Sequence, residues 1–295
     1  MRKIVLLGSP VAHSLSPAIQ NAAFETAGLD IRYEAMEVSP DDLAAAIATL
    51  RTSEWLGANV TIPHKEAVLP LLDEIHPSAV QTSAVNTIVN SDGHLEGHNT
   101  DLEGFVRDLE ANWKIPVDAR SLILGAGGGA RAVAFGLAKK DLDLLLIARN
   151  EPRAEKIAED IRRKYAVEIT TLPWNDESFA AATGQCRLIV NATPLGMAPN
   201  DETSPWPSDV HFPPDAFIYD LVYSPRETQL VQQARQAGLQ ALSGDGMLLN
   251  QAAIAYELWV GRPAPRAEMR EALDEVLERP RIRERLNVQT EVRDA

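Results

Sequence analysis

Cysteine is nearly absent from this chain of 295 residues, in which Cys186 stands alone. A lone cysteine excludes an internal disulfide and any metal site built from a cluster of cysteines. Long apolar runs are also missing, since no stretch reaches the ~18 residues of a membrane span. The first ten residues hold too short an apolar run for a signal peptide and are expected to form a strand. We therefore predict a cytoplasmic protein without a membrane partner.

Positive charge is in short supply, because the formal net charge is −14. A nucleic-acid backbone is therefore a poor partner, and any anionic ligand must be held by local groups. Charged residues make up 24% of the chain and hydrophobic ones 45%, which is the balance of a globular protein. The length is sufficient for two domains with substantial cores.

A metal site is not expected either, although His94, Glu96 and His98 stand close together. Their spacing is not the helical i, i+4 histidine pair of zinc proteases. It is similar to the His-x-Glu of zinc deaminases, but the Cys-x-x-Cys that those enzymes need is absent. The chemistry must therefore come from other residues.

What the sequence does contain is a glycine-rich turn between an apolar run, residues 121–124, and a helix-prone segment. Its pattern, Gly125-x-Gly127-x-x-Ala130, is that of a dinucleotide-binding strand, turn and helix. Gly125 permits the tight turn, and Gly127 lets the backbone approach a pyrophosphate held at the positive end of the helix. A flexible turn in another α/β domain is the alternative. A second apolar run at residues 142–148, expected to be the next parallel strand, favours the nucleotide site.

The cofactor is predicted from the position about 20 residues beyond the glycines, which reads the ribose. An NAD site needs Asp or Glu there to accept from the 2′-hydroxyl. This chain has Arg149, with Arg153 one helical turn later. Two guanidiniums suit a 2′-phosphate, which predicts NADP(H). The alternative is that both are solvated residues at the start of a helix.

Hydroxyl side chains follow the first predicted strand. Ser16 is predicted to cap a helix, with Pro17 at its first position. That structural role leaves Ser14 unexplained. It lies at the mouth of a strand–helix turn, where small ligands often bind.

A second polar group ends the third predicted strand. Alternation points Asn59 and Thr61 the same way. Lys65 lies just beyond, at the expected start of a helix, where a positive charge opposes the macrodipole. That mismatch favours a functional role over a solvated lysine.

Two further polar residues lie at the predicted domain crossings, near Asp101 and near Ser243, where the alternation of strands and helices breaks. Asp101 opens a predicted helix, and capping that helix is its commoner explanation when it is considered alone. Gln251 shares a helix face with Met247 and Ile254, and core helices normally keep amides off such a stripe. Gln251 is therefore a ligand candidate.

The chain as a whole resembles the shikimate dehydrogenase family over nearly all of residues 4–261. The likeness is carried by Asn-Val-Thr-Ile-Pro-His-Lys at 59–65, Gly-His-Asn-Thr-Asp at 97–101, Gly-Ala-Gly-Gly at 125–128 and Asp-Leu-Val-Tyr at 220–223. Further matching stretches are residues 8–10, 13–17, 84–87, 191–197 and 244–251. No single stretch is specific, but all of them in this order are.

The resemblance implies an α/β substrate domain, a Rossmann-type NADP-binding domain, and C-terminal helices that return to the first domain. The bounds expected are 1–102 with 243–295 for the substrate domain and 103–242 for the NADP domain. It implies reversible reduction of 3-dehydroshikimate to shikimate with NADP(H), in aromatic amino-acid biosynthesis. A homodimer is compatible with the sequence, which does not fix the oligomeric state.

The resemblance also implies roles for single residues. The catalytic pair would be Lys65 and Asp101, with Lys65 as acid/base and Asp101 as its orienter, meeting across a cleft. Substrate would be held by Ser14, Ser16, Asn59, Thr61, Asn86, Tyr223 and Gln251. Cofactor would be held by Gly125, Ala126, Gly127, Gly128, Gly129, Ala130, Arg149, Asn150, Arg153, Thr193, Met197, Gly244 and Met247.

Some positions depart from the family pattern. Ser83 stands where glycine is common, and Ala148 and Asn150 replace the usual Asn and Thr beside the arginine. The second departure leaves only the arginines to hold a 2′-phosphate. Alternatives are an NAD-dependent quinate/shikimate dehydrogenase, a methyltransferase that binds S-adenosylmethionine, and a non-catalytic ligand-binding regulator on the same scaffold. A methyltransferase would need a ribose-binding acid near the end of the second strand, and this chain has none there. The presence of both Lys65 and Asp101 argues against a non-catalytic regulator.

Overall fold

Residues 1–116, 119–182, 184 and 186–291 are described by the computed structural model, with side chains as far as Glu278. They divide into two units. Unit 1 comprises Met1–Pro77, Val85–His98 and the chain from Ala252 onward, and unit 2 comprises Ser78–Ala84 and Asn99–Gln251. The predicted functional division into residues 1–102 with 243–295 and residues 103–242 stays a prediction.

The first half of the chain alternates strands and short helices. In chain order these are β1 (Arg2–Gly8), α1 (Ser16–Thr26), β2 (Ile31–Glu37), α2 (Leu43–Thr49), β3 (Trp55–Val60), β4 (Glu74–Ile75), α3 (Pro77–Thr82), β5 (Thr87–Ser91), β6 (His94–His98) and α4 (Asp101–Asn112).

The second half continues the alternation and ends in two helices. These elements are β7 (Arg120–Leu124), α5 (Gly128–Ala138), β8 (Asp143–Ala148), α6 (Glu151–Arg162), β9 (Ile169–Pro173), α7 (Asp176–Ala182), β10 (Cys186–Asn191), β11 (Phe217–Asp220), α8 (Gln229–Gln236), β12 (Gln240–Ser243), α9 (Asp245–Val260) and α10 (Arg266–Glu291). Among the described residues, no helix has the length and apolar character needed to cross a bilayer.

Unit 1 is built on a mixed sheet in the order β2-β1-β3-β5-β6-β4. Strands β2, β1 and β3 are parallel, whereas β5 pairs antiparallel with both β3 and β6. Strand β1 lies between β2 and β3, and its residues Ile4–Leu7 are buried, because both faces of an inner parallel strand are covered. The carboxyl ends of β1 and β3 therefore lie side by side, and both are followed by predicted substrate residues.

The C-terminal helices return to unit 1, as predicted. The Gln20 side chain of α1 donates to the Ala252 carbonyl over 2.9 Å. The rings of Phe24 and Tyr256 stack with centroids 5.4 Å apart, and Met269 of α10 is fully buried. The apolar faces of α1, α9 and α10 thus share one core.

Unit 2 has a fully parallel sheet in the order β12-β11-β10-β7-β8-β9. Helix α5 is buried along nearly its whole length, because its small side chains pack closely on β7 and β8. From β7 the strand order runs outward in both directions. The sheet therefore changes direction between β7 and β10, which is where doubly wound folds bind ligands. This is the Rossmann-type domain that the glycine turn predicts.

A buried arginine joins the short segment Ser78–Ala84 to the rest of unit 2. Arg131 of α5 donates through Nε to the Thr82 carbonyl and through Nη2 to Ser83 Oγ, 3.0 Å away. The same Nη2 lies 2.7 Å from the Asp160 carboxylate. Ser83 has φ of 49°, a left-handed conformation that favours glycine.

Candidate active site

The predicted nucleotide residues begin at the carboxyl end of β7. Gly125 has φ of 111°, and a Cβ there would lie 3.0 Å from the Ala192 carbonyl oxygen. Ala192 directly follows β10, the neighbouring strand. Only glycine combines this backbone conformation with this close approach. The turn therefore lies at the point where the sheet changes direction.

Gly127 lies at the start of α5 and leaves open space there. It is the N-cap of α5, and no side chain caps the helix there. A Cβ at Gly127 would meet nothing within 4 Å, so the space in front of the helix is open. A Cβ at Gly129 would lie 3.0 Å from the Leu221 side chain, and Ala130 is fully buried, so the start of α5 is closely packed. The open space and the helix N-terminus fit a cofactor pyrophosphate.

The predicted ribose-reading residues follow β8. Arg149 and Arg153 are exposed, and the Asn150 side chain accepts from the Arg153 backbone N–H over 3.0 Å. Asn150 is therefore the N-cap of α6, which gives this predicted cofactor residue a structural role. That role leaves Arg149 and Arg153 as the charged side chains that could reach a 2′-phosphate.

A buried carboxylate joins the two loops that follow β10 and β11. Asp220 is fully buried and accepts from Asn191 Nδ2 at 2.8 Å, Thr228 Oγ1 at 2.6 Å and the Val222 N–H at 3.0 Å. Asn191 in turn accepts from both the N–H and the hydroxyl of Thr193. This network fixes Thr193, a predicted cofactor residue. Sequence reasoning assigned no role to Asp220 or Asn191.

The Asp220 network makes stability depend on pH. Burial raises the pKa of the Asp220 carboxyl to about 6, against the lowering effect of its three hydrogen-bond donors. Because the folded pKa lies above the unfolded one, the folded state gains stability from protonation, and stability falls as pH rises from about 4 to about 6. In the parent chain, this carboxyl should lower the free energy of unfolding by about 2 kcal/mol as pH rises from 4.5 to 7. We expect Asp220→Asn to abolish that decrease. Urea unfolding at several pH values measures it.

The asparagine variant is suitable because its amide oxygen can still accept from Asn191 and the Val222 N–H. The Thr228 hydroxyl can rotate to accept from the new amide group. A matched control is Asp215→Asn, which changes an exposed carboxylate in the same unit. If stability of Asp220→Asn depends on pH as strongly as that of the parent chain, the raised pKa of Asp220 does not cause the pH dependence of stability.

The remaining predicted ligands of unit 2 lie on nearby loops and on α9. Gly244 packs so closely on the Leu221 backbone that a Cβ would overlap it. Met247 is half-buried and Met197 is 46% exposed. Tyr223 is half-buried, and burial raises the pKa of its phenol. Gln251 donates from Nε2 to the Leu248 carbonyl at 2.9 Å, so part of its amide is already used within the helix.

In unit 1, the structure corrects the assignment of Ser16 as a helix cap. Helix α1 begins at Ser16, its N-cap is Leu15, and no side chain caps it. Instead, the Ser14 hydroxyl accepts from the Ser16 N–H over 3.3 Å. Ser14 therefore accepts from the first N–H of the helix, and the Ser16 hydroxyl does not cap it.

Asn59 is the centre of a buried polar network. Its oxygen accepts from the Tyr33 hydroxyl at 2.7 Å, and its amide donates to the Asn86 carbonyl and to Thr87 Oγ1, both at 2.9 Å. Thr87 donates to Asn86 Oδ1 over 3.1 Å, which orients the second predicted amide. Burial raises the pKa of Tyr33. Tyr33 was missed because it lies on β2 whereas Asn59 lies on β3, and Thr87 was missed because its contact with Asn59 joins β5 to β3.

The predicted helix at Lys65 is wrong. Residues 65–68 form turns, and a short 3₁₀ helix follows at Leu69–Leu71. The macrodipole argument for Lys65 therefore fails. Lys65 is half-buried, and its carbonyl accepts from the Val85 N–H at 2.8 Å. Thr61, also half-buried, is held by its N–H to the Leu7 carbonyl.

Asp101 is not a helix cap. Helix α4 begins at Asp101 itself, and the Asn99 side chain accepts from the N–H groups of Asp101 at 3.1 Å and Leu102 at 3.4 Å. Asn99 thus fills the structural role that could have explained the aspartate. The Asp101 side chain is 8% exposed. Capping of the helix therefore does not account for this buried aspartate.

The structure brings the predicted residues together in two groups. Ser14, Ser16, Asn59, Thr61, Lys65 and Asn86 belong to unit 1, whereas Asp101, Gln251, Tyr223 and the nucleotide residues belong to unit 2. The pairing of Lys65 with Asp101 therefore stays a prediction. Among the residues that the structure describes, no group of three or more His, Cys, Asp or Glu side chains is arranged to hold a metal.

Comparison with known proteins gives two family-model matches. Residues 6–88 match the shikimate dehydrogenase substrate binding domain, and residues 244–273 match the shikimate 5′-dehydrogenase C-terminal domain. The shikimate dehydrogenase (NADP(+)) of Moorella thermoacetica is 45% identical over 93% of this chain and 93% of its own length.

Solved structures are similar over the same extent. The shikimate 5-dehydrogenase of Thermus thermophilus, in complex with NADP(H) and shikimate, has a TM-score of 0.82 and 37% identity, covering 93% of this chain and 99% of its own. Quinate dehydrogenase of Corynebacterium glutamicum, in complex with NAD, has a TM-score of 0.83 and 32% identity, again covering 93% and 99%.

Proposed function

The chain belongs to the shikimate dehydrogenase family, and from this premise we propose how its own residues interconvert shikimate and 3-dehydroshikimate with NADP(H). The observation that carries the proposal is the glycine turn at the end of β7. Its open space lies in front of α5, and Arg149 takes the place of a ribose-binding acid at the end of β8. Bound NADP(H) supplies the hydride, and the protein supplies geometry and a proton.

The cofactor would be held by residues of unit 2. The N–H groups at the start of α5 would bind the pyrophosphate, because glycine at 127 lets it approach and the helix end is positive. Arg149 and Arg153 would bind the 2′-phosphate. Thr193, which the Asp220 network fixes, would with Met197, Gly244 and Met247 contact the rest of the cofactor.

The substrate is a carboxylated ring with several hydroxyls, so it needs several fixed hydrogen-bond partners. We assign this role to the polar side chains Ser14, Ser16, Asn59, Thr61, Asn86, Tyr223 and Gln251. Tyr33 and Thr87 would position Asn59 and Asn86 without being ligands themselves, since both are buried in the network. Rigid partners favour one orientation of the ring, because no ordering cost is added on binding.

Lys65 would hold or release the proton at the substrate oxygen. As hydride adds to the ketone carbon, negative charge grows on that oxygen, and an ammonium within hydrogen-bond reach can stabilise the charge and donate its proton. Asp101 would orient the amine and favour its charged form. In the reverse direction the neutral amine accepts the hydroxyl proton.

One assay tests the function. The absorbance of NADPH is followed while shikimate and NADP⁺ are added to the protein, with quinate and NAD⁺ as paired alternatives. We expect turnover with shikimate and NADP⁺ to exceed the other three combinations. Preference for quinate with NAD⁺ would reject the proposed substrate and cofactor. Binding of shikimate without turnover would indicate a regulator instead.

We further propose a cytoplasmic location, a homodimer and a place in aromatic amino-acid biosynthesis. We also propose that the substrate domain comprises residues 1–102 with 243–295 and the NADP domain residues 103–242.

A further inference from the structure

Two side chains leave the carboxyl edge of the unit 2 sheet side by side. Strands β8 and β9 are parallel neighbours, and their last residues, Ala148 and Pro173, are paired in register. The next residue in each case is Arg149 and Trp174. The guanidinium carbon of Arg149 lies 5.5 Å from the centre of the Trp174 ring, over its face. Strand register therefore produces a cation–π contact at the predicted 2′-phosphate position.

The Trp174 ring is itself held from behind. Phe179 of α7 meets it edge to face, with ring centroids 5.3 Å apart and planes at 78°. Phe179 is 1% exposed and makes a second edge-to-face contact, with Trp206 at 5.5 Å. Arg149, by contrast, is exposed. The Trp174 ring is thus fixed by buried aromatic side chains, and it supports the exposed guanidinium of Arg149.

We propose that Trp174 is a positioning residue that holds the Arg149 guanidinium ready for the 2′-phosphate of NADP(H), and so contributes to the preference over NAD(H). The inference rests on the proposed function, because it takes Arg149 as the ligand of that phosphate. An arginine side chain loses considerable rotamer freedom on binding. Contact with a ring restricts that freedom beforehand, while the N–H donors in the guanidinium plane stay directed at a phosphate.

The probes are 2′,5′-ADP and 5′-AMP, which differ in the 2′-phosphate and lack the nicotinamide. Isothermal titration calorimetry on the full chain gives both affinities without any turnover. We expect Trp174→Leu to weaken 2′,5′-ADP binding about two- to fivefold, the range of an exposed cation–π contact, and to leave 5′-AMP binding unchanged. Trp174→Phe keeps a ring face and should restore most of the affinity.

Two controls separate positioning from a general effect on the fold. Trp113→Leu removes another half-buried tryptophan of unit 2, stacked on Phe217 at 5.3 Å, and should leave the ratio of the two affinities unchanged. In an Arg149→Ala background, Trp174→Leu should have no further effect on that ratio. Thermal melting verifies that each variant is folded.

Equal losses for both probes, or a continued effect without Arg149, would overturn the inference. So would equal affinity of the unmodified chain for 2′,5′-ADP and 5′-AMP. If Trp174→Leu does not fold, the affinities of Trp174→Phe and Trp174→Met for the two probes are compared instead. The methionine variant is expected to lose affinity for 2′,5′-ADP as the leucine variant would. A chain that prefers 2′,5′-ADP as expected but does not oxidise shikimate would reject the proposed function and leave this inference intact.

Discussion

Replacing Lys65 by alanine is expected to lower turnover of shikimate about 10²-fold or more, which is the range for acid–base groups. The variant removes the proposed proton donor and the charge that stabilises the developing oxyanion. The KM for shikimate should change little, because the hydroxyl and amide partners of the ring remain. Steady-state kinetics with saturating NADP⁺ measure both constants.

A matched control is Lys3→Ala, which removes another half-buried lysine of unit 1. The Lys3 ammonium pairs with Glu54 at 2.7 Å, so the control also breaks an ion pair. Its turnover should stay close to that of the parent chain. Near-normal turnover of Lys65→Ala would exclude this lysine from the chemistry.

The pairing of Lys65 with Asp101 can be tested by the same measurements. If Asp101 acts by orienting the lysine, Asp101→Asn should cost much less in the Lys65→Ala background than in the parent chain. Additive losses would show that the two side chains act separately. This comparison matters because the two residues lie in different units.

Local patterns in the sequence predict the nucleotide half well. The glycine at 125 occurs where backbone geometry demands it, and the apolar runs of β7 and β8 form neighbouring parallel strands. These features depend on residues adjacent in the chain. That the C-terminal helices pack on unit 1 could be predicted only from the family likeness, since hydrophobic periodicity does not show where a helix packs.

Contacts between distant residues account for most of what sequence reasoning missed. Tyr33 reaches Asn59 from another strand, and Thr228 reaches Asp220 from the start of a helix. Trp174 faces Arg149 only because Ala148 pairs with Pro173. No local pattern specifies these partners, since strand register is set by the whole sheet.

The errors in the predicted site concern helix starts. Ser16 was predicted as a cap and Lys65 as the first residue of a helix, but α1 begins at Ser16 and turns follow Lys65. Capping preferences are worth about 1 kcal/mol, so neighbouring side chains such as Ser14 and Asn99 can bind the first N–H groups of a helix in place of the expected residue. The positions of helix starts therefore do not support the candidate roles of Ser16, Lys65 and Asp101. Those roles are supported only by the chemistry proposed for the three side chains.

The second large effect is expected at the cofactor. Arg149→Ala should raise the KM for NADP⁺ about 10²-fold and change that for NAD⁺ much less, since hydrogen bonds to charged groups contribute about 1.5–3 kcal/mol. The physical reason is that only NADP⁺ carries the 2′-phosphate, whereas both cofactors share the pyrophosphate held at α5. Initial rates over a range of each cofactor, at saturating shikimate, give the two values.

The control for Arg149 is Arg163→Ala, which removes an exposed arginine just beyond α6 with side-chain exposure of 64%. It takes away the same charge from the same unit, so it corrects for any general change in attraction of an anionic cofactor. Its effect on the ratio of the two KM values should be negligible. Equal losses for NADP⁺ and NAD⁺ in Arg149→Ala would reject the 2′-phosphate role, because a residue that reads this phosphate cannot act on a cofactor that lacks it.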